Sequence, residues 1–369
     1  MKCKRLHREE VNQLSNVVTV NLEQLERCIR IAWAANVPVA EWGRPGYAKS
    51  SIAAQLTRSL QWKMYDIRLT LYEPCDLAGV YYPKDGVCSI LPPDWLPFEG
   101  IVGDLACVLF LDEFDRAEPQ MQNTALQLIQ DRRVHDRLLS PSCWLILAGN
   151  GTTDALTFAL SEAAATRMCH LYIDHASDKT RQSWQRWAGR NDVSSAMRAF
   201  AEYRWSEFHN GETDYRDNAR LNLRTAVMAD RLMAACDEIK RQTGGAFKTD
   251  DIELPLVSGC IGRGPATQYL AIRRAHAAFQ DIDALLASPE TAKVPGEISE
   301  VYALTCALLD RVRSESGGDN ARDVAERIVR FAVRLPAEIA ASAFRQLTER
   351  CPSIVTDANY LAWCQQNAF

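Results

Sequence analysis

A glycine-rich segment between an apolar run and a helical pattern places the strongest constraint on the fold of this chain. The run Val37–Trp42 has the composition of a short buried strand, and Gly43–Ser50 (GRPGYAKS) follows it. The next stretch has the period of an amphipathic helix, with apolar residues at Ile52, Ala53, Leu56 and Leu60. A loop that joins a strand to a helix start gathers backbone amides near one point, and such a point binds anionic oxygens. The segment therefore predicts a phosphate-binding loop.

Two side chains in this loop are suited to hold a phosphate chain and its metal ion. Lys49 supplies a positive charge, and Ser50 supplies a small hydroxyl in the first helical turn that is suited to bind Mg²⁺. The segment meets the pattern GxxxxGK[ST] except at Ala48, where glycine is usual and alanine is the smallest side chain that can replace it. The alternative at this point is an ordinary Gly/Pro turn before a helix.

Two adjacent carboxylates follow a second apolar run. The continuous run Ala106–Asp112 is typical of a strand that a parallel sheet buries on both faces, and Glu113 comes directly after it. Open α/β sheets bind ligands at the carboxyl ends of such strands. In a nucleotide site, Asp112 would hold the Mg²⁺ shell, and Glu113 would orient and deprotonate the water that attacks the γ-phosphate. The alternative is a solvated strand end.

A third apolar run, Cys143–Asn150, ends in an amide side chain. We predict that Asn150 hydrogen-bonds the attacking water or the γ-phosphate. Taken alone, an asparagine at a strand end is more often a turn residue. This prediction therefore depends on the loop and the carboxylate pair.

Strand-like and helix-like segments alternate over the first half of the chain. Further strands are predicted at Lys63–Leu71 and Cys169–Asp174, and a helix is predicted at Glu118–Arg132. This alternation predicts a parallel α/β core over about residues 20–175. After residue 174 the strand pattern fades, and helical spacing interrupted by Gly/Pro breaks takes over. We expect an α/β core at 1–175, an all-helical lid at 176–245 and a helical C-terminal extension at 246–369.

Together these segments resemble the AAA+ ATPases, and within them the MoxR-like branch with the dynein-related AAA modules. The resemblance is strong in Leu109–Ala117 (LFLDEFDRA) and continues through Gln130–Val134 (QDRRV). MoxR-like loops commonly carry alanine before the lysine, which makes Ala48 a family trait. Asp76–Gly79 also looks familiar from this branch. The resemblance covers nearly the whole chain, strongly up to Asp174 and loosely after it.

The resemblance implies a P-loop AAA+ fold and a ring, usually of six subunits, with ATP and Mg²⁺ bound between neighbours. It places an arginine finger at Arg167, which reaches the neighbour's γ-phosphate where transition-state charge accumulates. It places a second sensing arginine in the lid, at Arg224. The alternative for Arg167 is a helix-end arginine that pairs locally. The expected catalytic residues are Glu113, Asn150 and Arg167, and the expected Mg²⁺ ligands are Ser50 and Asp112. The residues expected to bind ATP are Gly43, Arg44, Pro45, Gly46, Tyr47, Ala48, Lys49, Ser50, Ser51, Asp112 and Arg224.

Some positions depart from the usual pattern of this branch. Arg44 and Tyr47 replace small or neutral residues in the loop. Asp115 stands where asparagine is common, and we expect a third carboxylate so close to the pair to slow turnover. The branch also carries an inserted hairpin, which Gly79–Glu99 matches in turn chemistry and aromatic content, and Arg133–Ser142 predicts a smaller hairpin. Such hairpins tend to face the ring pore or a partner, and the alternative is that the aromatic side chains pack on the helix beneath.

Composition and charge limit the location and the partners. Hydrophobic residues make up 47% and charged residues 24% of the chain, which is typical of a folded globular protein. No apolar run approaches the ~20 residues that a membrane-spanning helix needs. The basic N-terminal residues Lys2, Lys4, Arg5 and Arg8 lead directly into Glu9 and Glu10 without an apolar stretch. We therefore expect no signal peptide and a cytoplasmic location.

Three functions are compatible with these features. The resemblance favours a ring ATPase that remodels, activates or loads a protein partner, usually a von Willebrand factor A-type protein with a metal-dependent adhesion site. A nucleic-acid translocating motor is the second, and the net charge of −5 and the lack of a recognisable DNA-binding module argue against it. The third is a nucleotide-gated scaffold that does not hydrolyse ATP, which the intact Lys49, Asp112 and Glu113 disfavour.

Overall fold

The computed structural model describes residues 17–102, 105–151, 157–210, 219–278, 282–315 and 319–367. The N-terminal residues on which the signal-peptide argument rests lie outside this set. The chain divides into two compact units, Met1–Ser183 and Trp184–Phe369. The finer division into core, lid and extension stays a prediction.

The first unit is built on a parallel sheet. Its strands are β1 (Thr19–Val20), β2 (Val39–Trp42), β3 (Lys63–Arg68), β4 (Val80–Lys84), β5 (Val87–Leu91), β6 (Cys107–Asp112), β7 (Arg133–Val134), β8 (Arg137–Leu138), β9 (Cys143–Gly149) and β10 (Cys169–Ile173). Six of them form one sheet in the order β1-β10-β2-β9-β6-β3, and each neighbouring pair is parallel. The loop-bearing strand β2 thus lies between two strands that come much later in the chain.

Helices connect these strands, as the alternating pattern predicts. They are α1 (Leu22–Ala34), α2 (Lys49–Ser59), α3 (Pro74–Ala78), α4 (Pro119–Asp131) and α5 (Glu162–Ala165). Asn21 caps α1, since its Oδ1 accepts hydrogen bonds from the amides of Glu23 and Gln24 at 3.1 and 3.0 Å. The predicted strand from Lys63 ends earlier than expected, at Arg68, because residues 69–71 turn into a short 3₁₀ helix.

Alternate residues of the central strands fill two separate cores. On β6, Leu109 and Leu111 pack into one apolar cluster, while Val108 and Phe110 pack into another on the opposite face. The second cluster includes residues of α1 and α2. Burial on both faces explains why these strands appear in the sequence as continuous apolar runs.

The two predicted hairpins are present. Strands β4 and β5 pair antiparallel, as do β7 and β8. Within the first segment, Tyr81 is 69% exposed, whereas the Trp95 ring packs 5.1 Å from the ring of Tyr72, which follows the 3₁₀ turn. Whether the exposed aromatic residues face a ring pore or a partner stays a prediction.

The described part of the second unit is helical, which confirms the predicted change of fold class along the chain. From residue 178 onward the helices are α6 (Asp178–Arg190), α7 (Ser195–Tyr203), α8 (Trp205–Asn210), α9 (Leu223–Gln242), α10 (Glu253–Ile261), α11 (Arg263–Ala278), α12 (Ile282–Ala287), α13 (Ile298–Ser314), α14 (Asp319–Ala332), α15 (Ala337–Arg350) and α16 (Ala358–Asn367). Helices α13 to α16 enclose an apolar core around Leu308, Val329 and Phe344. Across the residues with described structure, no helix has the length and apolar character to cross a membrane.

Candidate nucleotide-binding site

The predicted phosphate loop joins β2 to α2 and has an unusual backbone. Gly46 and Ala48 both adopt left-handed conformations, with φ values of 83° and 64°. For alanine such a conformation costs roughly 1–2 kcal/mol. Helix α2 begins directly after Ala48, and no described side chain caps its first turn. The amides at this helix start are therefore suited to hold an anion.

Lys49 links this loop to the end of the neighbouring strand. Its side chain is buried, and its Nζ donates to the carbonyl oxygens of Gly43 at 2.5 Å and Arg44 at 3.3 Å. The same nitrogen donates to Oδ1 of Asn150 at 3.2 Å. The structure thus brings together the lysine and the asparagine that the sequence singled out independently.

The unusual Tyr47 of the loop points into the protein. Its ring is buried and lies 4.3 Å from the ring of His175, and burial raises the pKa of the phenol to about 12. Nε2 of His175 accepts a hydrogen bond from the amide of Arg44 at 3.0 Å. His175 therefore contacts the loop on its buried side, through the Tyr47 ring and the Arg44 amide. Because the Tyr47 side chain is buried there, any contact of Tyr47 with a nucleotide would be through its backbone.

The carboxylate pair stands at the end of β6. The amide of Glu113 donates to Oδ1 of Asp112 at 2.8 Å, and Glu113 has a left-handed φ of 57°. Strain of this kind concentrates at functional sites. Burial raises the pKa of Asp112, and the hydrogen bond from the Glu113 amide and the charge of Lys49 oppose that shift.

Thr70 is a contact of Glu113 that sequence reasoning missed. Its hydroxyl donates to Oε2 of Glu113 at 2.5 Å, while the Arg116 guanidinium lies 3.9 Å from Oε1. Thr70 belongs to the 3₁₀ turn after β3, and β3 pairs with β6 in the sheet. Thr70 is 43 positions from Glu113, so no motif or spacing in the sequence predicts this contact.

Asp115 holds the backbone beneath Asn150. It is only 3% exposed, and its Oδ2 accepts hydrogen bonds from the amides of Asn150 and Gly151, both at 2.8 Å. Burial raises the pKa of Asp115, and these two hydrogen bonds act against the increase. The expected slowing of turnover by this carboxylate stays a prediction, but the structure adds a supporting role that the sequence did not indicate.

Glu41 is a second acidic residue that the sequence did not single out. It lies in β2 with 0% exposure, and neither carboxylate oxygen has a hydrogen-bond partner among the described residues. Burial raises the pKa of Glu41 to about 8. The positive charge of Lys49 opposes this rise, and the negative charge of Asp112 adds to it. The side chain is therefore a neutral acid at pH 7 in this state.

The residues at this edge fit a magnesium nucleotide. Ser50 is half-buried in the first turn of α2, next to the exposed Ser51. Within the described ranges no group of three or more His, Cys, Asp or Glu side chains forms a dedicated metal cage. Mg²⁺ bound with a nucleotide needs no such cage, because phosphates and water complete its shell around one or two protein ligands. The Ser50 hydroxyl and the Asp112 carboxylate are the predicted ligands of this kind, and that role stays a prediction.

Arg167 lies away from this edge of the sheet, and Arg224 belongs to the other unit. Arg167 precedes β10, whose first residue pairs with the first residue of β2, so a strand length separates it from the loop after Trp42. Its guanidinium hydrogen-bonds the carbonyl of Ala163 and Oε1 of Gln130. Arg224 is exposed in the first turn of α9, in the second unit. Arg167 is therefore not part of the site formed by its own loop.

The strand order and the lysine-bearing loop between β2 and α2 are those of a P-loop AAA+ fold. Residues 42–141 match the family described as AAA domain (dynein-related subfamily), a range that includes the loop, both carboxylates and both hairpins. No curated protein matches the chain.

Two solved structures illustrate the proteins to which this chain is similar. RuvB of Thermotoga maritima, described as a Holliday junction branch migration motor, is 18% identical, with 78% of this chain and 87% of that chain covered and a TM-score of 0.38. NtrX from Brucella abortus is 15% identical, with 95% and 72% covered and a TM-score of 0.38.

Proposed function

We propose that this chain is a Mg²⁺-dependent ATPase of the MoxR-like AAA+ class that works as a ring, with six copies as the expected number. In this proposal ATP hydrolysis drives the remodelling, activation or loading of a protein partner. The observation that carries it is the contact between Lys49 and Asn150 at the sheet edge where Asp112 and Glu113 end β6. A phosphate-binding lysine, a polar strand end and two carboxylates at one edge suit phosphoanhydride hydrolysis.

Each residue at this edge has a distinct role in the proposal. Lys49 and the amides at the start of α2 bind the phosphate chain, and Asn150 orients the γ-phosphate or the attacking water. Glu113 accepts the proton of that water. Ser50 and Asp112 hold Mg²⁺, which when bound neutralises part of the phosphate charge.

The position of Arg167 supports a site shared by two copies. Because a strand length separates Arg167 from its own loop, its guanidinium is better placed to serve another copy of the chain. In a closed ring each copy would present Arg167 to the γ-phosphate of the next, where it stabilises transition-state charge.

The exposed face of the β4–β5 hairpin supports a protein partner. Val80, Val87 and Leu91 lie on one face of the hairpin and Tyr81 lies on the other, and all four side chains are more than half exposed. Val80 and Leu91 are paired across the two strands, and adjacent exposed apolar side chains of this kind suit an interaction site. The resemblance to MoxR-like ATPases points to a von Willebrand factor A-type protein as that partner.

ATP hydrolysis measured over a range of protein concentrations tests the ATPase and the ring together. Specific activity should rise steeply as copies assemble. Glu113→Gln should lower turnover by about 10²–10⁴-fold while ATP still binds. Glu118→Gln, which changes an exposed glutamate nearby, is the matched control and should behave like the wild type. Equal specific activity in dilute monomer, or equal rates for wild type and Glu113→Gln, would contradict the proposal.

The partner is tested by capture with Glu113→Gln held in ATP, with ring size measured by light scattering. We expect a protein to co-purify with an assembled ring. Leu91→Ser, which replaces one exposed apolar side chain of the β4–β5 hairpin, should weaken that capture. Salt-sensitive nucleic-acid binding that stimulates hydrolysis would instead favour the translocating motor.

A further inference from the structure

The imidazole of His170 lies between the loop-bearing strand and the short helix α5. Its Nδ1 is 2.9 Å from the indole nitrogen of Trp42, the residue directly before Gly43. Its Nε2 is 2.7 Å from the carbonyl oxygen of Ala165, the last residue of α5. One side chain therefore bridges two elements that are more than 100 residues apart in the sequence.

Only one protonation state of His170 satisfies both contacts. An indole nitrogen can only donate, so Nδ1 of His170 must accept the hydrogen bond from Trp42 and carry no proton. A carbonyl oxygen can only accept, so Nε2 must carry the proton and donate it to Ala165. This bond satisfies one of the last carbonyl groups of α5, which have no partner within the helix.

Trp42 extends the connection to the strand that carries Asn150. Gly149 ends β9 directly before Asn150, and a Cβ atom at Gly149 would clash with the Trp42 ring and lie 2.8 Å from Cγ of Asp115. The indole therefore packs directly against the backbone beside Asn150. The Trp42 ring therefore lies between the end of β9 and the imidazole of His170, and it touches both.

The far end of this connection is the segment that carries Arg167. Only Thr166 separates Ala165 from Arg167, and the Arg167 guanidinium folds back onto the carbonyl of Ala163 in the same helix. With just four residues, α5 has little stability of its own. Its position thus depends on side chains such as His170 that hold its end.

We infer that His170 is a positioning residue for Arg167: it holds α5 against Trp42 and so sets where the arginine of one copy meets the nucleotide of the next. This inference rests on the proposed function and adds a specific residue to it. A shift at Asn150 when the γ-phosphate leaves would reach Arg167 through Trp42 and His170.

Rings assembled from two different mutant chains distinguish the contribution of each of the two copies that form a site. A chain with Arg167→Ala keeps its loop and Glu113 but offers no finger, whereas a chain with Glu113→Gln offers a finger but has no base. Neither should hydrolyse ATP alone, and a mixture should recover activity at interfaces that combine the two intact halves. His170→Asn is then introduced into one chain or the other.

The effect should depend on which chain carries the change. In the finger-donating Glu113→Gln chain, His170→Asn should reduce recovered activity by about 10- to 100-fold, since a misplacement of ~1 Å can cost that much. In the Arg167→Ala chain it should change activity by no more than about twofold, because the arginine that His170 positions is absent there. ATP affinity should stay unchanged in both chains, because His170 does not contact the phosphate loop or the carboxylate pair in the contacts given above.

Two further variants serve as a second test of the same contact and as a control. Trp42→Phe retains an aromatic ring over Gly149 but removes the donor to His170, so it should produce the same chain-dependent loss. Lys179→Ala alters an exposed residue of the same unit outside both hairpins and should have no effect in either chain. Equal losses in both chains, or none in either, would overturn the role of His170 while leaving the proposed function intact. Failure of the unmodified mixture to recover activity would instead refute the shared site and this inference with it.

Discussion

The Nζ atom of Lys49 lies 3.2 Å from Oδ1 of Asn150, although 101 positions separate the two residues. The contact exists because β2 and β9 are parallel neighbours, with Trp42 paired to Gly149 at their carboxyl ends. The phosphate loop after Trp42 and Asn150 after Gly149 therefore begin next to each other at the carboxyl edge of the sheet. This pairing underlies the first prediction.

Removal of the Lys49 ammonium should weaken nucleotide binding strongly. Lys49→Ala eliminates a charge-assisted hydrogen bond to phosphate, and such bonds contribute ~1.5–3 kcal/mol, so ATP affinity should fall by about 10- to 100-fold. Isothermal titration calorimetry measures the change. Lys179→Ala removes an exposed lysine of the same unit and is the control. An unchanged affinity in Lys49→Ala would show that phosphates bind elsewhere.

Loss of the Thr70 hydroxyl should raise basal turnover. The hydroxyl donates to Oε2 of Glu113 and so competes with the attacking water for this oxygen. Thr70→Val should therefore increase kcat, by up to about 10- to 100-fold given the ~1.5–3 kcal/mol of a hydrogen bond to a charged group. Thr70→Ser keeps the hydroxyl and should match the wild type in steady-state assays. A fall in kcat for Thr70→Val would mean that Thr70 aligns Glu113 for catalysis instead.

The two substitutions Asp115→Asn and Asp115→Ala should behave differently. Asparagine keeps an oxygen that can accept from the amides of Asn150 and Gly151, so stability and turnover should stay near wild type or rise slightly. Alanine removes the acceptor, which should lower stability by about 1–3 kcal/mol and lower kcat with little change in ATP affinity. Denaturant unfolding and steady-state kinetics provide the two measurements. Identical behaviour of the two variants would rule out support of the Asn150 loop.

Glu41 should make stability depend on pH. Its pKa is about 8 in the folded protein against an ordinary 4.5, so between these values the folded state keeps a proton that the unfolded state has released. The free energy of unfolding should therefore fall as pH rises through this window, by up to about 1.4 kcal/mol per pH unit, and level off above it.

Glu41→Gln cannot titrate and removes this contribution. Its stability relative to the wild type should increase steadily from pH 5 to pH 8 in denaturant titrations. Glu118→Gln, at an exposed position, should show a constant difference over the same range. If the Glu41→Gln difference were equally flat, Glu41 would be ionised in the folded protein.

Much of the core was predictable from the sequence because its signals are local. The apolar runs at 106–112 and 143–150 appear as β6 and β9, and the glycine-rich segment joins β2 to α2 as expected. The strand from Lys63 was predicted too long, since the alternation of residues continues into a 3₁₀ turn that resembles a strand in pattern alone. The roles assigned to Arg167 and Arg224 stay predictions, because they require a neighbouring copy and a bound nucleotide.

The amino-acid sequence by itself determined that a lysine-bearing loop, two carboxylates and an amide would each follow a buried strand, since hydrophobic period and turn chemistry operate over a few residues. Only the tertiary structure decided which of these side chains meet. Thr70 on Glu113, Asp115 beneath Asn150, and His170 between Trp42 and Ala165 all depend on strand order and register, which place residues from distant segments within hydrogen-bond distance. Burial of Glu41 is decided in the same way, because packing on both faces of the sheet removes water from a position that the sequence alone leaves open.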